Sequence, residues 1–288
     1  MKTNIAGRLG HSVNYLLLTA IAAVTLFPFL YVLSVSFTPE SEVLRRVIVL
    51  IPEKITLSAY HTVFAGLGLG QAYKITLFRT LVGTALNLLF TAIPAYVLSK
   101  KALPGRSGLL LFIVFTMLFN GGLIPTYILI KSLGLMNSIW SLIIPGLISV
   151  FNLIVMKTFF EQLPPELEES ARVDGSGELT TLWKIILPLS LPSFATIGLF
   201  YAVSHWNSYF DAVMYINNPQ LMPLQVVLRN ILLSVQNQSA EQSALDGPVS
   251  TFAIQMAAVI VSTVPILCVY PFIQKHFAKG VLVGSVKG

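Results

Sequence analysis

Apolar residues gather in six long stretches, about Val13–Phe37, Ile75–Ser99, Gly108–Ile130, Ile139–Phe160, Leu189–Phe210 and Ser250–Gln274. A hydrocarbon core of about 30 Å needs roughly 20 apolar helical residues to cross it, and each stretch meets that length. None shows the period-two alternation of a barrel strand, so each predicts a helix. The polar pieces after the second and third stretches are short, whereas Thr38–Lys74 and Asp211–Val249 are long enough to hold structure. Pro28, Pro94, Pro125, Pro145, Pro192 and Pro265 fall inside the stretches, where neighbouring helices can satisfy the backbone groups that a proline frees. No repeat, low-complexity segment or linker interrupts the pattern. The expectation is one transmembrane domain over residues 1–288, all-α, with a cytoplasmic loop at 161–188.

Composition agrees with the pattern. Hydrophobic residues make up 55% of the chain and charged ones 10%, with mean hydropathy +0.78. A soluble domain carries about 25% charged residues, so an ordinary soluble enzyme is excluded, and a disordered chain needs the opposite balance. The net charge of +6 suits a membrane surface or nucleic acid equally. Cys268 is the single cysteine, which excludes an intramolecular disulfide and a cysteine metal cage. Eleven Lys and Arg residues fall on the side of both termini and of the second-to-third and fourth-to-fifth connections, against seven on the other side. By the positive-inside rule both termini face the cytoplasm. The first stretch follows a basic start, and Ser34-Val35-Ser36 resembles a signal cleavage site. A signal core is usually 7–15 apolar residues, so a retained anchor fits its length better.

Several chemistries are missing. The span interiors hold no Asp or Glu; Arg79, Lys157 and Asp211 fall near span ends, where long side chains can reach the interface. His205 alone makes a poor proton relay, although sodium coupling through backbone carbonyls stays open. Gly66, Gly68 and Gly70 lack the Lys-Ser or Lys-Thr pair of a phosphate cradle. There is no Walker motif, no zinc-protease motif and no nucleophile–base pair, so catalytic and metal residues are none. Energy for uphill movement is expected from another subunit.

The segment Pro164–Pro192 carries the most information. Two prolines open a helix, and Glu166, Glu168 and Glu169 load its positive dipole end. Ser170 and Ala171 are small enough for another protein to approach closely. Asp174-Gly175 stops the helix, with glycine free to turn left-handed. A second helix follows, with Leu179, Leu182, Trp183 and Ile186 on one face. A plain amphipathic connector is the alternative reading of the same residues.

This segment resembles the EAA loop of inner-membrane permeases from binding-protein-dependent ABC importers. Glu169, Ala171, Asp174, Gly175, Ile185, Leu187 and Pro188 fall on the pattern E-A-A-x-x-D-G-A…I-x-L-P, with Ser170 and Ser176 where alanine is usual. Pro52–Tyr60, Leu133–Asn137 and Ser204–Asp211 are similar to segments of sugar-importer permeases, and the tail Gln274–Gly288 is similar to the oligosaccharide-importing, LplC-like subgroup. The resemblance implies a type I importer permease fold in the bacterial cytoplasmic membrane, translocating a carbohydrate, with an oligosaccharide as the expected cargo. It implies a second permease, two ATPase subunits that use ATP and Mg, and an extracytoplasmic binding protein; nucleic acid is not expected as a partner. ATPase coupling would fall to Glu169, Ser170, Ala171, Asp174, Gly175 and Pro188. His205, Trp206, Asn207 and Tyr209 form an aromatic–amide cluster suited to stacking and hydrogen-bonding a sugar, or else an interfacial belt. Asn120, before Gly121-Gly122, is a further pathway candidate. Met222–Gln236 reads as a surface helix, followed by a polar loop, Asn237–Gly247, that can reach a binding protein. The rivals are a permease for another small solute, a Na⁺-coupled carrier and a scaffold without transport.

Overall fold

A computed structural model describes residues 5–43, 45–46, 48–66, 68–234 and 252–268, and all regular structure among them is helical. The Asn237–Gly247 loop and the Gln274–Gly288 tail lie outside the described residues. The chain divides into two compact units, one built from residues up to Leu69 together with Leu228–Val264, the other from Gly70–Val227 with the residues after Val264.

In the first unit, helix α1 (Ile5–Ser36) runs unbroken through Pro28, and residues 10–30 are exposed along all of it. Helices α2 (Glu40–Val43) and α3 (Ser58–Gly66) follow. The chain doubles back because the Thr56 amide donates to Phe37 O at 2.8 Å and Thr56 Oγ1 accepts from the Ser58 amide at 3.2 Å. Tyr60 then meets Ser36 Oγ at 2.7 Å and lays its ring 5.0 Å from that of Phe37. These contacts explain the Thr and Tyr of the Pro52–Tyr60 motif. Glu42 is 2% exposed and takes the Glu53 amide on both oxygens, at 3.0 and 3.1 Å, with Arg46 Nη1 at 3.0 Å. The Glu53 amide first, and then Arg46, hold its carboxyl below the ordinary carboxylate range against the effect of burial.

In the second unit, α4 (Leu69–Ser99) is a 31-residue rod. It is followed by α5 (Arg106–Leu118), α6 (Leu123–Ser132), two 3₁₀ turns over 139–146, and α7 (Val150–Phe160). Helices α8 (Glu166–Val173) and α9 (Glu178–Thr181), a π turn at 182–186, and α10 (Leu187–Leu189) lead into α11 (Leu191–Asn207) and α12 (Phe210–Tyr215). Helix α13 (Leu224–Ser234) starts where the Leu224 amide donates to Thr76 Oγ1 of α4 at 2.8 Å. Helix α14 (Phe252–Cys268), which belongs to the first unit as far as Val264, is the described part of the last predicted span. The core sets Ala92, Ala95 and Tyr96 of α4 against Leu153, Met156 and Phe160 of α7, with Leu182, Ile186, Ile197 and Tyr201 closing it.

Residues 10–36 of α1 and the whole of α4 are long and apolar enough to cross a membrane alone. The unbroken helices expected over 108–130 and 139–160 are each broken. Helices α5 and α6 meet at 106°, because Gly122 takes φ 90° while its amide donates to Asn120 Oδ1 at 2.9 Å. The 3₁₀ segment carrying Pro145 meets α7 at 50°, and Ser149 Oγ caps the new helix. An 87° bend at Ser190 separates the 178–189 segment from α11, close to the turn expected at Pro188, and α11 stops at Asn207, short of the expected Phe210. Glycine pairs, prolines and caps are the ordinary causes of such breaks.

Candidate functional site

Helix α8 begins behind Pro164 and Pro165, with Glu166, Glu168 and Glu169 in its first turn. It ends in a full Schellman motif: the Ser176 amide donates to Ala171 O at 2.8 Å and the Gly175 amide to Arg172 O at 3.0 Å. Gly175 has φ +76°, and a Cβ there would meet nothing within 4 Å, so glycine is required by the backbone rather than by space. Glu169, Ser170 and Asp174 are exposed, but Ala171 is only 3% exposed. Its small size therefore lets α8 lie against its own chain, not against an incoming surface as the sequence suggests. The four apolar residues expected on one face of the next helix are divided in two: Leu182 and Ile186 are buried, while Leu179 and Trp183 are exposed. Leu182, Trp183 and Ile186 all lie within the π turn at 182–186. Pro188 is exposed two residues before the bend.

Charged side chains fasten this segment to the end of α4. Lys100 pairs with Glu168, lies 3.7 Å from Glu178 Oε2, and sits 3.8 Å above the Tyr96 ring. The Tyr96 hydroxyl donates to Glu178 Oε2 and Arg172 Nη2 to Glu178 Oε1, both at 2.9 Å. These donors, Tyr96 foremost, hold the Glu178 carboxyl below its ordinary range. Beside them Arg106 pairs with Glu161 and donates through Nε to Leu98 O at 2.7 Å.

Toward the other end of α4, Arg79 is 2% exposed and pairs with Asp211. The Asp211 carboxylate also accepts from Ser208 Oγ at 2.9 Å and from the Ala212 amide at 2.8 Å. Arg79 thus does not reach for an interface; its two terminal nitrogens join an ion pair between α4 and α12, while its Nε is buried without a partner among the described residues. Asn87 donates through Nδ2 to Gly146 O and Leu147 O at 2.7 and 2.8 Å and meets His205 Nε2. A cavity of about 560 Å³ lies against this network, lined by Arg79, Asn152, Phe200, Ser204, His205 and Asp211 among others. Its wall mixes hydroxyls, an amide and aromatic rings with the Arg79–Asp211 pair.

Of the five sequence candidates for a pathway, His205 lines the cavity. Trp206 is buried with its ring edge toward Tyr73, Asn207 is exposed and bonds back to Val203 O at 3.0 Å, and Tyr209 is exposed. Asn120 occupies the α5–α6 break. Asn137 of the Leu133–Asn137 motif has φ 56°; its amide donates to Tyr215 O at 2.9 Å and its Oδ1 accepts from the Asn218 amide at 3.1 Å. Sequence reasoning missed Asn87 and the Arg79–Asp211 pair, and the signal was an arginine ten residues into an apolar helix. Among the described residues no group of His, Cys, Asp and Glu could hold a metal ion.

The family of binding-protein-dependent transport system inner membrane components matches residues 62–283. Protein LplC of Bacillus subtilis is 46% identical over 292 residues, covering 100% of this chain and 98% of its own. The polygalacturonan/rhamnogalacturonan transport system permease protein YtcP of the same organism is 44% identical, covering 98% and 99%. Among solved structures, a chain from the crystal structure of a bacterial ABC transporter involved in the import of the acidic polysaccharide alginate superposes with TM-score 0.89 at 34% identity, covering 95% of this chain and 98% of that one.

Proposed function

The chain belongs to the family of binding-protein-dependent transport system inner membrane components, and from that premise we propose that it is the permease subunit of an ATP-driven importer carrying an oligosaccharide across the cytoplasmic membrane. It is a multi-pass inner-membrane transporter subunit rather than an enzyme, and ATP hydrolysis belongs to a separate subunit. The names of its relatives support the choice of cargo: one is a permease for polygalacturonan and rhamnogalacturonan, another a chain of an alginate importer. The observation that carries the coupling role is α8, which presents Glu169 and Ser170 outward and is ended sharply by Gly175. That short, charged helix with an open face is suited to seat in a cleft of the ATPase, whose hydrolysis uses ATP and Mg. A second permease completes the pathway, and an extracytoplasmic binding protein delivers the sugar.

In this reading the six apolar stretches are six crossings within one permease domain, both termini face the cytoplasm, and α8 lies on that side. Asp211 is committed to Arg79, which leaves it poorly placed to carry protons as a secondary carrier would need. Two measurements test the reading. Purification should yield a complex with an ATPase and a second permease, and that complex in vesicles should take up saccharide only with ATP and binding protein. A cytoplasm-dependent reporter should be active within Pro104–Ser107 and silent within Gln236–Gly247. A self-sufficient monomer, or the reversed reporter pattern, overturns it.

A further inference from the structure

The charged groups around the end of α4 lie outside the coupling residues assigned above. We infer that Tyr96, Lys100 and Glu178 form a joint that passes movement of α8 into α4, which makes them positioning residues for the transport cycle. The inference rests on the proposed coupling role of α8.

Three observations carry it. Lys100 is held from three sides at once, by Glu168 of α8, by Glu178 of α9 and by the face of the Tyr96 ring. Glu178 in turn accepts from Tyr96 of α4 and Arg172 of α8, so the two helices share a closed ring of contacts instead of a single bond. Such a ring fixes direction as well as distance. Secondly, Glu178 and Arg172 are more than half exposed, and exposed ion pairs add only about 0–1 kcal/mol to stability. A contribution to geometry therefore accounts for the Arg172–Glu178 pair better than one to stability, while the less exposed Lys100–Glu168 pair anchors the cluster. Thirdly, α4 is a rod about 46 Å long at 1.5 Å per residue. Along its length it is bonded to other helices through Thr76 to Leu224, Arg79 to Asp211, Asn87 to His205 and Thr91 to Tyr201. A displacement of the helix entering at Lys100 thus meets polar contacts at several points to α11, α12 and the start of α13.

The test uses the complete complex in vesicles, in a Cys268→Ser background, with a fluorophore on Lys74→Cys near the other end of α4. In the otherwise native chain, ATP should shift the fluorophore signal. Lys100→Glu should abolish that shift while the ATPase remains bound, and should lower saccharide taken up per ATP hydrolysed about ten-fold, within the usual range of a coupling free energy. Adding Glu168→Lys to Lys100→Glu should recover both readouts, which a generally weakened fold would not allow. The joint is refuted if ATP shifts no signal in the native chain, if the shift persists in Lys100→Glu, if uptake and hydrolysis fall together at a constant ratio, or if the charge swap restores neither. The fluorophore shift needs no transported solute. A native complex that shows the shift but takes up no saccharide therefore counts against the proposed cargo and for the joint.

Discussion

His205 Nε2 lies 2.6 Å from Asn87 Oδ1, and this contact determines which ring nitrogen carries the proton. Asn87 spends both amide hydrogens on Gly146 O and Leu147 O, so its oxygen can only accept. Nε2 must therefore carry a proton and donate it to Asn87 Oδ1. The approach is possible because Gly83, one turn before Asn87, has no side chain.

A Cβ on Gly83 would fall 2.5 Å from His205 Nε2 and 2.8 Å from Cε1. Gly83→Ala should lower thermal stability of the purified complex, by about 1–3 kcal/mol as overpacking usually does. Adding His205→Ala should return part of the loss. A Gly83→Ala protein melting at the native temperature would show that α4 and α11 separate at little cost.

Arg79→Ala and Asp211→Ala should each destabilise strongly, by about 3–5 kcal/mol, since either leaves a charge without its partner. The double substitution should cost clearly less than the sum, and denaturation of the three variants gives the cycle. Strict additivity would mean that the pair is not coupled in the membrane.

The sequence resolved the apolar stretches, the end of α8 and the residue types of the coupling segment because these are local: run length, a left-handed glycine and charge at a helix start each act within a few residues. It did not resolve the breaks at Asn120–Gly122 and before Ser149. There a hydropathy average stays high while a cap or glycine turns the backbone. Nor did it show that Ala171 faces inward, because a small residue suits an inner face and an outer one equally. Arg79 was misplaced for a similar reason. Its partner lies 132 positions away, and no local rule joins them.

Gly175→Leu and Glu169→Lys should each stop uptake while leaving the chain in the membrane. The first acts through the left-handed backbone at φ +76°, worth about 1–2 kcal/mol of strain, and the second through an exposed charge. Gly175→Asn, which tolerates that backbone, should retain more uptake than Gly175→Leu. Equal activity in the two variants would remove the conformational argument.

Glu42→Gln should lower the melting temperature at neutral pH, and the gap from the native protein should close on acidification. The carboxyl is depressed in the folded chain, so its contribution is complete above its ordinary value of 4.5 and fades as pH falls through the lower folded value. A gap that widens with acid would contradict the contacts to Glu53 and Arg46.

The π turn at 182–186, closed by the Leu187 amide bonding to Leu182 O, holds one residue more than an α-helix needs for the same turn. Deleting Lys184 should therefore be absorbed locally: the turn reverts to α, and the segments on either side keep their facing. A deletion in the regular part of α11 has no such slack and rotates every later side chain by about 100°. Chain length in this protein is thus negotiable by one residue at that turn, beside the bend, and fixed in the straight helix beyond it.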